Sequence, residues 1–550
     1  MKRVVCLLLA MMLVFSMLVG CGTQKSTGET TKEETKVTED KNTDKTENAD
    51  QGPQEPTTFR IATVRYSNAW PLEFLESGMM KELEEKMNVD IEWEVYYTSD
   101  WGEQKALLLA SDDLPDAFLG NLALSSTDVQ RNKDFFVELT DLINENMPNL
   151  TKLYAEDKQL LYYAQNVDGE IYGLSQRYGF TPVSYQTPFI NKTWLDNLGL
   201  DMPETTEDLI NVLQAFKDQD ANGNGDPTDE IPYVGTQNLT ADCWRILISY
   251  GTTINRSGDY MALDKNGNPV FVPVQDNYKE AVKFARELYT RGLSDPEAFT
   301  MDDTMYRSKL QGDGGCRVGL VFGWSVDSEV GQYASEFVAM PPLTGPDGTK
   351  YVDSDPSSLD YMTNELVITR ECQNPALLLQ WADNFYENEI ALQKMYGSIP
   401  ECVQKNDDGT YEILLPTDGT SLDLWSWYNS LRSQGPMYMT DEFQSKVILP
   451  TTEGDGAKLA FDSLYAPYAN TTYSCAMPVV KYTDDQAEQL AILSTDILGY
   501  CSQKYAHWVV EGGIDEEWDD YIKQLNNMGL QDYIQIKEDA YALYEQVTGK

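Results

Sequence analysis

A loop that begins at residue 218 carries oxygen ligands at the spacing of a calcium site. In the EF-hand loop, Ca²⁺ is bound by side chains at positions 1, 3 and 5, a backbone carbonyl at position 7 and an acidic side chain at position 12, with glycine at position 6. Counted from residue 218, these places hold Asp218, Asp220, Asn222, Gly223, Asn224 and Asp229. The EF-hand normally has a bidentate Glu at position 12. Here Asp229 holds that position and Glu230 follows it, so the sequence does not decide which of the two supplies the last ligand. The spacing predicts a structural Ca²⁺ site, and the alternative is an acidic loop that ends a helix without an ion.

Two predicted helices lead into this loop. The first covers residues 191–200, where apolar residues recur at helical spacing. The second begins after Thr205, because Asp208 follows it by three residues, as in a capping box. Its apolar face is formed by Leu209, Leu213 and Phe216. The loop is therefore expected to be positioned by a helix that packs on a core.

Strands and helices alternate at the start of the globular body. Strands are predicted for residues 59–64, 89–97 and 114–120, and helices for residues 72–87 and 101–111. This alternation is typical of an open, mainly parallel α/β sheet. In such sheets, ligands bind outside the carboxyl ends of the strands. The loops after the first two strands supply the candidate ligand-binding residues Tyr66, Asn68, Trp70, Asp100 and Trp101.

The N-terminus has the layout of a bacterial lipoprotein. Lys2 and Arg3 precede an apolar run over residues 4–20, and Cys21 follows a Leu-Val-Gly sequence that is typical of a lipobox. We predict a signal peptide over residues 1–20 and lipidation of Cys21, with a transmembrane anchor as the alternative. Residues 21–57 are polar and almost free of aliphatic side chains, so we predict a disordered tether.

Composition excludes several classes of function. The formal net charge of −48 argues against nucleic acid and against anionic substrates as partners. The single histidine, His507, removes most histidine-dependent catalysis and any site with several histidines. Apart from Cys6 in the leader and the predicted lipidation site Cys21, the six remaining cysteines lack metal-ligand spacing, and we expect mostly buried free thiols. They are Cys243, Cys316, Cys372, Cys402, Cys475 and Cys501.

Several stretches together resemble one family. Residues 191–232 combine an Asn-Lys start, a Gly-Leu-x-x-Pro turn, a Thr-capped helix and an acidic Asn-Gly-x-Gly loop. Residues 168–174 match an Asp-Gly-x-x-Tyr-Gly-aliphatic pattern, although Ser175 stands where a Pro usually follows. Residues 319–324 form an apolar run that ends in Gly-Trp. The chain resembles the bacterial extracellular solute-binding proteins of family 1, the sugar-binding lipoproteins of ABC importers, over about residues 58–400.

The resemblance implies a two-lobed α/β fold of the periplasmic-binding-protein type II, with discontinuous lobes joined by a hinge. The expected N-terminal lobe covers 58–178 and 342–372, and the C-terminal lobe covers 179–341 and 373–550. The helix that Asn374 and Pro375 open is expected to pack on the second lobe. Trp324 occupies the place of the family's sugar-stacking aromatic, while Trp244 and Trp427 are weaker candidates.

The predicted function is that of a lipid-anchored receptor at the extracellular face of the membrane. We expect it to capture a carbohydrate, an oligosaccharide, and to deliver it to the permease of an ABC transporter. We expect a monomer with no catalytic residue. The alternatives are a surface enzyme that degrades glycans, with two carboxylates as its catalytic pair, and an adhesive lipoprotein.

Overall fold

A computed structural model describes residues 55–111, 113–184, 186–235, 245–252, 258–264, 266–352, 361–469 and 477–549. The predicted signal peptide, Cys21 and Trp244 lie outside the described residues, as do Cys243 and Cys475. Of the predicted tether, only residues 55–57 are described, and Thr57 already begins the first strand. None of the helices in the described part of the chain combines the length and apolar character that a membrane span requires.

The strands and helices follow in two series. The strands are β1 Thr57–Arg65, β2 Val89–Tyr97, β3 Ala117–Leu119, β4 Gln176–Arg177, β5 Thr187–Asn191, β6 Ile231–Tyr233, β7 Met261–Leu263, β8 Pro269–Phe271, β9 Val318–Gly323, β10 Phe337–Ala339, β11 Tyr361–Met362, β12 Leu366–Ile368, β13 Val403–Lys405, β14 Tyr411–Ile413 and β15 Val447–Ile448. The helices are α1 Gly78–Met87, α2 Trp101–Leu109, α3 Ser126–Arg131, α4 Thr140–Asn146, α5 Pro148–Glu156, α6 Lys158–Ala164, α7 Lys192–Leu198, α8 Thr206–Asp218, α9 Asp276–Thr290, α10 Asp303–Gln311, α11 Val326–Val330, α12 Pro375–Asp383, α13 Asn388–Tyr396, α14 Leu422–Asn429, α15 Asp441–Gln444, α16 Gly454–Ala460, α17 Asp462–Ala469, α18 Asp484–Val510, α19 Ile514–Asn527 and α20 Leu530–Thr548.

The first sheet has the strand order β12-β3-β1-β2. β1 runs parallel to β2 and to β3, as the alternation of strands and helices predicts. β12 joins the sheet antiparallel to β3, although it lies much later in the chain. The lobe is therefore built from two separate parts of the sequence.

The second sheet has the order β10-β5-β9-β6 and is mixed rather than mainly parallel. β5 pairs antiparallel with both β9 and β10, and only β6 and β9 are parallel. The sequence predicts no strand directions for this sheet, because its strands pair over long connections that local patterns do not show.

A short ladder of β4 and β11 forms the hinge between the two sheets. β4 lies in the chain between β3 of the first sheet and β5 of the second, and β11 lies between β10 of the second sheet and β12 of the first. The two hinge strands pair antiparallel, with Gln176 opposite Met362 and Arg177 opposite Tyr361. The fold is the two-lobed type II arrangement with discontinuous lobes.

The region after residue 373 does not belong to the second lobe alone, which corrects the expected boundary. α12 packs on α4 and α1 of the first lobe. Lys86 Nζ donates to Asn384 Oδ1 at 2.7 Å, and the amide of Asn149 donates to Asp383 Oδ2 at 3.1 Å. α18, in contrast, packs on α9. The apolar face of α12 was visible in the sequence, but the surface that covers this face was not.

The helix predicted over residues 72–87 is interrupted. A 3₁₀ turn over Glu73–Glu76 precedes α1, and Ser77 between them is extended. Gly78 has φ +52°, and a Cβ there would lie 2.1 Å from Ser398 Oγ. The segment bends at Gly78 because only glycine fits this close approach without strain.

Candidate ligand cleft and cation loop

Four aromatic rings, defined here as the aromatic cluster, meet at the carboxyl end of β1. Tyr66 and Trp70 follow β1, whereas Trp427 and Tyr428 come from α14. The ring centroids of Trp70 and Trp427 are 5.2 Å apart, and those of Tyr66 and Trp427 are 5.3 Å apart. Tyr66 is 51% exposed, while Trp427 is 9% exposed. The cluster therefore has an accessible face formed by Tyr66 and the partly exposed Trp70, with Trp427 behind them.

α14 also brings a carboxylate next to this cluster. Arg432 Nη2 lies 3.2 Å from Asp423 Oδ1 and 2.9 Å from Asp455 Oδ2. Asp455 is fully buried, whereas the Asp423 side chain is 37% exposed. Arg432 therefore holds an accessible carboxylate in place with a buried ion pair behind it.

The pKa of Asp423 is also affected by a residue that follows a strand of the second sheet. Burial raises the pKa of Asp423 although Arg432 lowers it, and the negative charges of Asp455 and Asp327 raise it further. Asp327 belongs to α11, which follows β9 of the second sheet.

Trp324 lies directly after β9, at the edge of the second sheet, and is partly exposed. Lys458 of α16 is 1% exposed, and its Nζ lies 5.0 Å from the centroid of a Trp324 ring. The same Nζ donates to Thr187 Oγ1 at 2.8 Å. Thr187 stands opposite Gly323 in the sheet, so Lys458 ties the start of β5 to the indole that follows β9.

The other predicted ligand residues are placed differently. Trp101 is buried in the core of the first lobe between Tyr96 and Phe118, and its Nε1 donates to the carbonyl of Ala123 at 2.8 Å. This corrects its assignment to the cleft: α2 begins at Trp101 and turns the ring under the sheet. Asn68 and Asp100 are exposed.

Sequence reasoning undervalued the contribution of α14 and α16. Trp427 was a weak candidate, and Tyr428, Asp423 and Lys458 were not proposed. A signal was present: residues 421–429 place three aromatic side chains in a helix that Ser421 caps by accepting from the amide of Leu424. The sequence did not show which residues pack against this helix.

The predicted calcium loop forms a compact network after α8. The capping box that begins this helix is present, with the amide of Asp208 donating to Thr205 Oγ1 at 3.0 Å. At the other end, Asp218 is the last residue of α8 and accepts from Gln214. Asp229 accepts from the side-chain amides of Asn222 and Asn224, at 3.0 Å each.

Two carboxylate oxygens in the loop are left without donors. Asp220 Oδ1 and Glu230 Oε2 are buried and have no hydrogen-bond partner. Burial raises the pKa of Glu230, whose Oε1 accepts from the amides of Ala221 and Asn222. Buried, unsatisfied anionic oxygens are what a cation satisfies. The donor set of the loop therefore fits Ca²⁺.

The same atoms favour a register that starts two residues later than expected. Counted from Asp220, side chains at positions 1, 3 and 5 are Asp220, Asn222 and Asn224, and position 6 is Gly225 with φ +92°. Asp218 falls outside this register, and Ile231 holds position 12, so Glu230 at position 11 supplies the acidic side chain next to the closing position. Neither in this loop nor elsewhere in the described ranges do three His, Cys, Asp or Glu side chains converge as a metal-binding group. A cation in the loop would therefore also need amide and carbonyl oxygens as ligands.

The remaining cysteines and the histidine take no part in either site. Cys316, Cys372, Cys402 and Cys501 are buried free thiols, as expected. His507 lies in α18, where its Nε2 is 3.2 Å from Glu517 Oε1.

Comparison with known proteins links this geometry to carbohydrate receptors. FusA of Streptococcus pneumoniae, a fructooligosaccharide ABC transporter substrate-binding protein, is 33% identical over 513 residues, which cover 90% of this chain and 91% of FusA. Lipoprotein LipO of Bacillus subtilis is 27% identical over 239 residues (43% of this chain and 45% of LipO). The polygalacturonan/rhamnogalacturonan-binding protein YtcQ of the same organism is 23% identical over 343 residues (60% and 64%).

Solved structures show the same likeness. FusA in complex with kestose superposes with a TM-score of 0.76 at 30% identity, covering 89% of this chain and 100% of FusA. An EF-hand mutant of FusA in complex with fructo-nystose superposes equally well. No protein-family model matches the chain.

Proposed function

Because this chain belongs to the bacterial extracellular solute-binding proteins that serve ABC transporters, we propose that it captures an oligosaccharide in the cleft between its lobes. The observation that carries the proposal is the aromatic cluster beside the half-exposed carboxylate of Asp423. A sugar presents flat C–H faces to aromatic rings and hydroxyl groups to carboxylates. Tyr66 and Trp70 supply the rings, and Asp423 supplies the acceptor.

The charge of the cleft favours a neutral oligosaccharide. The negative charges of Asp455 and Asp327 raise the pKa of Asp423. An acidic glycan would bring further negative charge into this field and into a chain of net charge −48. The relatives are named for neutral glycans in some cases and for acidic glycans in others. The negative charge around Asp423 is the feature that separates these two classes of ligand for this chain.

Binding is coupled to closure about the β4–β11 hinge. Trp324 and Asp327 follow β9 of the second sheet, and the aromatic cluster lies at the carboxyl end of β1 of the first. A sugar that contacts both sides stabilises the closed form by its differential affinity for that form. The protein then meets the permease in its closed, sugar-bound form.

Two further parts complete the proposed receptor. Lipidation of Cys21 anchors it to the extracellular face of the membrane. In the loop after α8, Asp220, Asn222, Asn224 and Glu230 hold Ca²⁺, which neutralises the buried carboxylates and fixes the loop. The ion serves stability and not chemistry.

Titration calorimetry on the purified protein tests the proposal. Kestose and fructo-nystose represent neutral oligosaccharides, and an oligogalacturonate represents acidic ones. We expect binding of a neutral oligosaccharide and none of the oligogalacturonate, while chromatography of the incubated sugars shows no cleavage. Release of smaller sugars would favour the rival reading of a glycan-degrading enzyme, and failure to bind any glycan would contradict the receptor.

A further inference from the structure

We propose that Arg65 is a positioning residue for ligand binding, because it locks α14 against β1 and thereby holds Trp427 behind Trp70. This inference rests on the proposed function, since the affinity it concerns is that for a sugar. Arg65 itself does not contact the ligand: it is 2% exposed. Its effect is transmitted through the aromatic cluster.

Arg65 joins two distant parts of the chain by hydrogen bonds. It is the last residue of β1. Its Nη2 donates to the carbonyl of Trp427, and its Nη1 donates to the carbonyl of Ser430 at 3.3 Å. These carbonyls lie at the end of α14, where backbone acceptors have no partner within the helix. The guanidinium thus fixes the end of the helix that carries Trp427.

The guanidinium also lies among the rings that it positions. Its central carbon is 5.6 Å from the centroid of Trp70 and 5.7 Å from that of Trp427, and Phe74 lies 4.9 Å away. At these distances a cation is attracted to aromatic faces. Arg65 therefore contacts both indoles of the cluster while holding the backbone of one.

No acidic partner explains the burial of this charge. Within the described ranges, none of the salt bridges involves Arg65, and burial lowers its pKa to about 10. Its Nε has no hydrogen-bond partner. A buried arginine that is paired only with carbonyls and rings is costly, which indicates a role in organising the cluster.

Lysine cannot replace this function. The planar guanidinium offers several donors in a fixed fork and can stack on rings, whereas a lysine amine is a single point of charge. Arg65→Lys keeps the charge and removes the fork, so it tests positioning with the smallest change in composition.

The test compares the full-length protein with Arg65→Lys, Trp70→Ala and the double variant, using kestose in calorimetry. We expect Arg65→Lys to weaken kestose binding about tenfold and to add no further loss in the Trp70→Ala background, because both changes act on one unit. Far-ultraviolet circular dichroism provides a second readout: the exciton signal of the Trp70 and Trp427 indoles, whose planes are tilted by 32°, should shrink in Arg65→Lys.

Arg286→Lys is the matched control. Arg286 Nη1 also donates to a helix-end carbonyl, that of Val509 at 3.1 Å. This variant should lower the melting temperature without changing kestose affinity. If Arg65→Lys does not fold, Phe74→Leu replaces it, since it removes only the ring beside the guanidinium, and a weaker exciton signal is again expected.

The outcomes separate this inference from the proposed function. Unchanged kestose affinity and exciton signal in Arg65→Lys would overturn the inference while the receptor stands. Equal losses of affinity in the parent and Trp70→Ala backgrounds would also overturn it, because Arg65 would then act independently of the cluster. A parent protein that binds no sugar would contradict the receptor, and a reduced exciton signal would still support the positioning role.

Discussion

The indoles of Trp70 and Trp427 pack with their centroids 5.2 Å apart, one after the first strand and the other in a helix of the last third of the chain. This contact joins the two segments that form the first-lobe side of the cleft. Trp70 is the more accessible ring, and Trp427 lies behind it. Replacing each of them should therefore affect sugar affinity and stability to different extents.

Trp70→Ala should weaken sugar binding by on the order of 1–3 kcal/mol, which is roughly a tenfold to hundredfold loss of affinity. Trp427→Ala should weaken binding as well and should also destabilise the fold by about 3–5 kcal/mol, since it removes a buried indole. Calorimetry and thermal melts of both variants check this. Tyr172→Ala, which removes a partly exposed ring at another place of the first lobe, is the control and should leave affinity unchanged.

Trp324→Ala tests the second-lobe side of the cleft. If the sugar stacks on this indole, affinity should fall by about 1–3 kcal/mol, while stability should fall less than for a core tryptophan. The loss of the contact with Lys458 lowers stability modestly. Calorimetry beside thermal melts measures both effects. Unchanged affinity with a strongly lowered melting temperature would assign Trp324 to the core.

Chelation of Ca²⁺ should lower the melting temperature, because an ion that binds only the folded state stabilises it by mass action. Asp220→Asn and Glu230→Gln should abolish this sensitivity by removing the two buried carboxylates. Asp218→Ala should keep the sensitivity if the register begins at Asp220. A loss of sensitivity in Asp218→Ala would restore the register that begins at Asp218, and a parent protein indifferent to chelation would exclude the ion.

Cys21→Ala should release the protein from the membrane fraction, because the thioether that carries the lipid can no longer form. Fractionation of cells followed by immunodetection measures the distribution. Cys6→Ala, in the predicted leader, is the matched control and should remain in the membrane. A Cys21→Ala protein that stays as firmly bound as the parent would identify the apolar run as a transmembrane anchor.

Glu517 should make stability dependent on pH. Its hydrogen bonds with Lys504 and Trp508 hold its pKa at about 2, below the ordinary value of about 4.3. A depressed pKa in the folded state contributes stability above the unfolded value, and this contribution is lost as pH falls towards 2. The difference in melting temperature between the parent and Glu517→Gln should therefore shrink from pH 7 to pH 3. Exposed Glu516→Gln serves as the control, and a difference that stays constant with pH would contradict the assignment.

Local features of the fold followed from the sequence. β1 and β2, the capping box at Thr205 and the oxygen-rich loop after α8 all depend on residues within a few positions of one another. Hydrophobic alternation, helix caps and loop ligands act over such short distances. The likeness to a sugar receptor rested on the same kind of local pattern.

The tertiary structure determined which of these local elements contact one another. The sequence placed Trp101 and Trp70 on equal terms, but packing buried the first and left the second partly exposed. The sequence also showed an apolar face on α12, but not the lobe that covers this face. It showed an aromatic helix at Trp427, but not the rings that this helix contacts. Spacing along the chain determines which side chains share an element, whereas burial and long-range contacts determine which elements share a site. The oxygen-rich loop after α8 could therefore be predicted from the sequence, while the union of Trp70, Trp427 and Arg65 required the fold.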